Sequence, residues 1–247
     1  MTLGFEDASA RERPGRPAAA RRRVSLKAAA LALLAALLTL SAAGRASAQQ
    51  FDIGSGGLPT ITGARGGSVT GSSDVTQNLV VNVDFGEVSP INNSNIVKVV
   101  VPISVRSTTP YQVTVTATGA FASDPLAVQR SDIGFGVRNL QPLGPQARQC
   151  NDSPHVFRPP FNNDPAATVT TDANGRAAYP SSLANVGAST VILSGPELTK
   201  GNTITKREPD NGHVFDAIFA IKPQFYASGR FSATLTFTIS AGPNVRC

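Results

Sequence analysis

The stretch YQVTVTAT, residues 111–118, alternates apolar and polar side chains without a break. Successive side chains of an extended strand point to opposite faces, so tyrosine, the valines and alanine share one face, while glutamine and the threonines share the other. A second stretch, FSATLTFTI at residues 231–239, repeats the pattern with five apolar residues on one face. Both stretches predict a β-strand with one buried face and one wet face.

Shorter apolar runs predict further strands around these two. They lie at residues 79–85, 96–105, 133–137, 191–193 and 214–221. Turn-forming sequences separate them, namely NNSN at 92–95, DANG at 172–175 and PDNG at 209–212. Because many short strands are joined by turns and no amphipathic helix intervenes, the fold class is predicted to be all-β, an immunoglobulin-like antiparallel β-sandwich.

The first 48 residues have the pattern of an export signal. An arginine-bearing head precedes an alanine- and leucine-rich run at residues 28–43, and Ala46 and Ala48 form the small-x-small motif that a signal peptidase recognises. We therefore expect a signal-peptide helix that is removed after Ala48, so that the exported protein begins at Gln49. The twin-arginine and general secretory routes both fit this head. The only membrane contact that we expect is made by the signal segment before it is cleaved.

The net charge of +6 comes mainly from the same segment. Residues 1–48 hold 8 of the 22 Lys and Arg and 3 of the 16 Asp and Glu, which leaves 14 against 13, a net charge of +1, in the remainder. No basic patch is left that would attract nucleic acid. Nucleic acid is therefore not among the expected partners.

The remainder divides into a lead and one domain. Residues 49–78 are rich in glycine, serine and threonine, which predicts a flexible lead or a peripheral strand. Residues 79–247 are expected to form the sandwich domain. Within it, residues 140–164 contain five prolines, two phenylalanines, one cysteine and one histidine, and this segment is too long for a passive connection. We expect a long loop there that offers a working surface.

The chain has two cysteines, Cys150 and Cys247. An exported protein meets an oxidising compartment, so the pair predicts one disulfide. A reactive free thiol is the alternative. A metal site would need more ligands than two distant thiols provide.

Catalytic and metal-binding motifs are not found in the sequence. The two histidines, His155 and His213, have no HExxH motif and no carboxylate motif around them, so we expect surface histidines, no metal site and no cofactor. There is no G-x-S-x-G motif, and the DANG sequence predicts a hairpin turn because it lacks the downstream glutamate of a calcium loop. We expect a protein that is not an enzyme, although the paired carboxylates of a glycosidase remain open because no sequence spacing marks them.

Two phenylalanines of the long segment, Phe157 and Phe161, stand on either side of Arg158 and two prolines. Such aromatic residues suggest a small contact patch, made of Phe157, Arg158 and Phe161, that would bind a ligand or partner. The alternative is that the two rings fill the space beneath the loop.

Several short motifs suggest a family. They are FGEVSP at 85–90, the strand through 101–105, YQVTV at 111–115 and SGRFS at 228–232. In these motifs the chain resembles the spore coat protein U and fimbrial-subunit type of secreted β-sandwich, although it lacks the cysteine pair usual in that group. The resemblance implies an exported bacterial subunit of a surface fibre, many of which a periplasmic chaperone and an outer-membrane usher handle.

These observations predict a non-enzymatic structural or adhesive protein of the cell surface. Its partners would be further copies of itself or other envelope proteins, reached through an exposed sheet edge. We expect the final strand, 231–239, to be that edge, covered either by a neighbour or by the chain's own residues 51–73. The alternatives are a monomeric module that binds carbohydrate or protein through residues 140–164, and an enzyme on a sandwich scaffold. The expected location is the periplasm, the cell surface or the medium.

Overall fold

The structure is a computed structural model that describes residues 50–63, 67–71, 77–88, 95–118, 127–150, 154–200, 211–224 and 230–247. All of them belong to one unit, Ser47–Cys247. The predicted signal segment lies outside the described residues, together with its cleavage residues Ala46, Ala48 and Gln49. So do residues 92–94 and 209–210 of two predicted turns. In the part of the chain that is described, no helix has the length and apolar character needed to cross a membrane.

Thirteen strands are described. In chain order they are β1 (Phe51–Ser55), β2 (Thr60–Thr62), β3 (Ser68–Gly71), β4 (Asn78–Glu87), β5 (Val97–Ser107), β6 (Tyr111–Thr118), β7 (Gly134–Pro142), β8 (Val156–Phe157), β9 (Thr170–Thr171), β10 (Ala177–Ala178), β11 (Thr190–Gly195), β12 (His213–Ile221) and β13 (Arg230–Ala241). The helical pieces are one short helix, α1 (Pro165–Thr168), and two 3₁₀ turns, Arg130–Asp132 and Leu183–Asn185. Every strand predicted from the sequence is present.

Two antiparallel sheets pack face to face. Sheet one has the order β1-β5-β12-β7, with β2 also paired to β5. Sheet two has the order β3-β4-β13-β6-β11-β8. Strands β9 and β10 form a separate hairpin, in which the Asp172 side chain accepts from two backbone N–H groups of the turn and Gly175 has a φ of 78°. The predicted all-β antiparallel sandwich and the predicted hairpin at DANG are confirmed.

Aromatic side chains join the two sheets at their centre. Phe135 and Phe219 of sheet one lie with ring centroids 5.3 Å apart, and Phe237 of sheet two lies 6.4 Å from Phe135. Phe85, also of sheet two, meets Phe219 edge-on at 6.5 Å. Each of these rings is fully buried. Since burying one such side chain contributes about 1.5 to 3 kcal/mol, the cluster is a major part of the core.

The final strand is not an edge. Strand β13 pairs with β4 on one side and β6 on the other, which places it inside sheet two. Its threonines face outward as the pattern predicts, and Thr234 and Thr238 donate to Asn82 Oδ1 and Asn78 Oδ1 at 2.7 and 2.6 Å. The prediction that 231–239 forms an exposed edge is therefore wrong. The alternation of a strand fixes which face is buried, but it carries no information on which strands lie beside it.

The prediction of a flexible lead at 49–78 is also wrong for the residues that form strands. Strand β1 pairs with Ile103–Ser107 of β5, and its first four residues are buried. Phe51 and Ile53 belong to the core. The other option, a peripheral strand, is the one observed, because β1 and β2 border sheet one and β3 borders sheet two.

A buried ion pair holds β1 against β5. Arg106 Nη1 donates to Asp52 Oδ2 at 3.0 Å, and Arg106 Nε donates to Asn211 Oδ1 at 2.7 Å. Asp52 is 3 % exposed and Arg106 is 8 % exposed. Two charges taken out of water are tolerated here because each has a partner, and removing one partner would strand the other.

We expect Asp52→Ala to destabilise the fold by about 3 kcal/mol or more, since it leaves the Arg106 guanidinium buried without its carboxylate. Urea unfolding followed by circular dichroism measures the change. Glu197→Ala is the matched control, because Glu197 pairs with Arg148 at 2.7 Å in a half-exposed position where a salt bridge contributes about 1 kcal/mol at most. Equal effects of the two substitutions would contradict the importance of the buried pair.

Candidate functional site

Several described residues of 140–164 pair with strands of the sandwich, contrary to the expectation of one long loop. Strand β7 continues to Pro142, Ala147 bridges to Thr199, and β8 pairs with β11 at the border of sheet two. After β8 the backbone returns towards sheet one, where Val137 donates to the Phe161 carbonyl at 2.7 Å. The sequence could not show these pairings, because prolines obscure a strand of only two residues.

The predicted contact patch does not form a common surface. Phe161 is 3 % exposed and packs on Phe135 with ring centroids 5.6 Å apart. Phe157 is half-buried and lies 6.3 Å from the ring of Phe215. Arg158 is exposed, and its Nη2 donates to Ser194 Oγ at 2.9 Å. The binding role expected for Phe161 is therefore wrong, because its ring is in the core, which agrees with the alternative of rings that fill the space beneath the segment. Phe157 is half-buried, and the binding roles of Phe157 and Arg158 stay predictions.

The two cysteines are joined. Cys150 and Cys247 form a disulfide with Cα atoms 5.1 Å apart, across a separation of 97 residues. The bridge joins Cys150, which follows β7, to Cys247, which follows β13. No free cysteine is found.

A pocket of about 360 Å³ lies beside this disulfide. We call it the disulfide pocket, and its lining consists of Leu140, Pro142, Gln149, Cys150, His155, Phe157 and His213. The volume is near the lower end of the range typical of small-ligand sites, about 300 to 1,000 Å³. Its lining combines apolar side chains with two imidazoles and one amide, so the pocket can bury a small ligand and orient it through hydrogen bonds.

Both histidines of the chain meet in this pocket. His213 is the first residue of β12 and is 4 % exposed, while His155 precedes β8, and their ring centroids are 5.5 Å apart. His155 Nδ1 also lies 3.1 Å from the buried Tyr111 hydroxyl. The prediction of two separate surface histidines is therefore wrong. Their proximity depends on the pairing of β8 with β11, which the sequence does not reveal.

Burial governs the electrostatics of the histidine pair. It lowers the pKa of His155, and it lowers the pKa of His213 to about 4, with a further lowering from the neighbouring His155 and a partial offset from a hydrogen bond to the Leu198 backbone. Burial also raises the pKa of Tyr111. At neutral pH the pocket therefore holds two uncharged imidazoles and an uncharged phenol.

One ring nitrogen of each imidazole, His155 Nε2 and His213 Nδ1, is buried and has no hydrogen-bond partner among the described residues. The same part of the chain contains no group of three or more His, Cys, Asp and Glu side chains that could hold a metal ion. The two imidazoles are the nitrogen ligands of the pocket lining, and the Gln149 amide is its other hydrogen-bonding side chain. The lining has no carboxylate and no thiol, so it offers no general acid and base pair beyond the imidazoles themselves.

A second concave surface lies between the borders of the two sheets. We call it the edge groove. Its volume is about 290 Å³, and its lining consists of Ser55, Gly57, Leu58, Pro59, Val69, Thr70, Gly71, Leu79, Val81, Val101 and Pro102. Leu58, between β1 and β2, is 90 % exposed at this groove, whereas Leu79 and Val81 form its buried floor. Such a large exposed apolar side chain beside an apolar groove is typical of a contact surface.

The sheet borders differ in how they are protected. The outer side of β7 is covered by the backbone around Phe161 and Ser181. The Phe135 N–H donates to the Ser181 carbonyl at 3.1 Å, and the Val137 N–H donates to the Phe161 carbonyl at 2.7 Å. Strand β8 is followed by Arg158 and two prolines, which discourage further pairing. Strands β2 and β3, beside the edge groove, contain no charge and no proline, although Pro59 directly precedes β2 and lines the groove. Among the described strands, the border formed by β3 therefore carries the fewest features that discourage pairing with another chain.

We expect the stability of the protein to fall as the pH drops from about 6.5 to about 4. The folded pKa of His213, about 4, lies below its unfolded value, so the unfolded chain binds more protons in that window and acid favours unfolding, by up to about 3 kcal/mol. Chemical unfolding at several pH values measures the trend, with EDTA present so that no cation competes with protons. His213→Gln should flatten the slope. An unchanged slope in that variant would contradict a buried neutral His213.

We expect Cys150→Ser combined with Cys247→Ser to lower stability without abolishing the fold. The bridge restricts the unfolded chain over 97 residues, which corresponds to about 4 to 5 kcal/mol as an upper value, whereas the sheets bury a core of their own. Thermal unfolding and near-ultraviolet circular dichroism of the double variant check both parts. A variant without a cooperative transition would show that the bridge is essential.

Comparison of the chain with protein-family models, with curated proteins and with solved structures found no match in any of the three. Its function is therefore inferred from the geometry of the edge groove and the disulfide pocket.

Proposed function

We propose that this protein is a non-enzymatic, exported structural or adhesive protein that acts through protein contacts at the edge groove, and that its partner there is a second copy of the same chain. One observation carries the proposal. Leu58 is 90 % exposed beside an apolar groove, between two sheet borders that carry no protecting charge. A fully exposed leucine is ordinary when it stands alone, but here it adjoins apolar concave surface that it could share with a partner.

Strand pairing would supply the affinity. A sheet border presents a row of backbone N–H and C=O groups, and a second chain that adds a strand there satisfies them with main-chain hydrogen bonds. The side chains of the groove would then set the register by accepting apolar residues of the partner. Leu58 of each copy is suited to that role because it projects from the connection between β1 and β2.

Charge balance supports self-association. Residues beyond the predicted signal carry 14 positive and 13 negative side chains, a net charge of +1, so two copies repel each other only weakly. Export is supported by the disulfide, since such bonds persist in oxidising compartments.

The edge groove replaces the final strand as the proposed contact. Both sides of β13 are used inside sheet two, so no partner can pair there. Strands β1, β2 and β3, which form the borders at the edge groove, lie within residues 51–73. The sequence suggested that these residues could cover the final strand.

A second candidate function is a monomeric module that binds carbohydrate or protein. The disulfide pocket favours it, because its 140–164 segment and its mixed lining provide a concave site of the right size. The two candidates differ in oligomeric state, because the second requires a monomer and the first requires self-association.

We expect the exported form to self-associate. Leu58→Asp should weaken that association about tenfold or more, because an exposed leucine that the partner would bury is replaced by a charge that must be desolvated. Light scattering after size-exclusion chromatography, over a series of protein concentrations, measures the dissociation constant. Circular dichroism checks that the variant remains folded.

Val156→Asp is the matched control, since Val156 is 45 % exposed on β8, at the other border of sheet two and away from the edge groove. Its association should equal that of the unmodified protein. A monomer at every concentration would contradict the first candidate and leave the pocket-centred module as the better account.

A further inference from the structure

The histidine pair of the disulfide pocket combines two features that point to a ligand. His155 Nε2 and His213 Nδ1 are both buried, and neither has a hydrogen-bond partner among the described residues. Buried polar atoms in folded proteins are nearly always paired, so two such nitrogens on adjacent rings call for a specific explanation. The self-association proposed above does not involve them, because they lie in a different pocket.

The surroundings of both rings allow the tautomers that metal binding needs. His213 Nδ1 has no hydrogen-bond partner among the described residues, so it can carry the lone pair of the neutral ring. His155 Nδ1 lies 3.1 Å from the Tyr111 hydroxyl, whose oxygen can accept a hydrogen bond and leave the lone pair on His155 Nε2. Metal-binding histidines usually donate their second N–H in this manner, which fixes the ring and its tautomer.

The spacing of the rings fits one shared ion. An imidazole nitrogen lies about 2 Å from zinc or copper, so two rings that bind one ion have centroids about 4.5 to 6.4 Å apart, as the angle at the ion opens from a right angle to a straight line. The observed centroid separation is 5.5 Å, and the rings are tilted by 44°. This separation lies near the middle of the range.

The donor set selects the class of ion. Neutral imidazoles suit zinc, copper and nickel. Calcium and magnesium prefer carboxylate and other oxygen ligands, and the pocket lining contains no carboxylate. The cysteines offer no thiolate, because they are bonded to each other. For a nitrogen site without imposed geometry, affinity is greatest for Cu²⁺.

We propose that His155 and His213 together bind one divalent transition-metal ion in the disulfide pocket, with Cu²⁺ bound more tightly than Zn²⁺. The ligands are His155 Nε2 and His213 Nδ1. Two protein ligands leave the remaining coordination positions open towards the pocket, where water or a donor group of a small ligand binds. The site departs from the sequence-based expectation of no metal, because only the folded chain brings the two histidines together.

Isothermal titration of tag-free protein, first treated with EDTA and dialysed, tests the site with Cu²⁺ and separately with Zn²⁺. We expect one equivalent of either ion to bind, with the dissociation constant for Cu²⁺ at least tenfold lower. His155→Gln and His213→Gln should each weaken binding at least tenfold, and the double variant should remove it. Any copper bound at the chain terminus would persist in the double variant and can be subtracted.

Asn174→Ala is the control, since Asn174 is exposed in the turn between β9 and β10 and does not line the pocket. Its affinity should equal that of the unmodified protein. A measurement that needs no variant guards against misfolding: the chain has only two histidines, so Zn²⁺ should shift the ring resonances of both in nuclear magnetic resonance spectra. Absence of saturable binding, or binding unchanged in the double variant, would overturn the proposal, whatever the oligomeric state proves to be.

Discussion

The packing of aromatic rings between the two sheets is the interaction on which the rest of the structure depends. Phe135 and Phe219 of one sheet meet Phe237 of the other, and Phe161 joins them from the segment between β8 and α1. The Phe161 carbonyl accepts from Val137 of sheet one, while the backbone before it pairs with sheet two, where β8 lies beside β11. His155, just before β8, lines the disulfide pocket. The cluster thus closes the core and anchors the segment that follows His155.

A second, polar anchor fixes the other side of the pocket. Arg106 reaches Asp52 of β1 and Asn211 of the turn before β12, and Gly212 packs so closely on Arg106 that an added Cβ would lie 2.6 Å from its side chain. The next residue is His213, so the network that holds the first strand also positions the buried histidine. Buried ion pairs contribute little net stability compared with apolar packing, but they restrict geometry. Here the restriction sets where β12 begins.

The strands were predictable from the sequence because burial of one face of a strand makes apolar and polar residues alternate with a period of two. Residues 111–118 and 231–239 show it without interruption, and both are strands with the expected buried faces. The lead was misjudged because its glycines and serines hide the two apolar residues of β1, Phe51 and Ile53. The histidine pair could not be predicted at all, since it depends on which strands become neighbours, and side-chain alternation is silent on that point. The presence of only two histidines, one in the long segment and one beside a turn, was too weak a signal to predict that they meet.

The place of β13 in sheet two bears on how the chain reaches its folded state. It is the last of the described strands along the chain, yet it lies between β4 and β6, which are synthesised much earlier. A nascent chain that has not yet produced residues 230–241 therefore holds two open sheet edges that cannot be joined to each other in their native register. Contacts between residues so far apart along the chain form slowly. Until they form, the unpaired edges of β4 and β6 are sites for aggregation. Loss of the last strand would accordingly remove the middle of a sheet rather than trim its border.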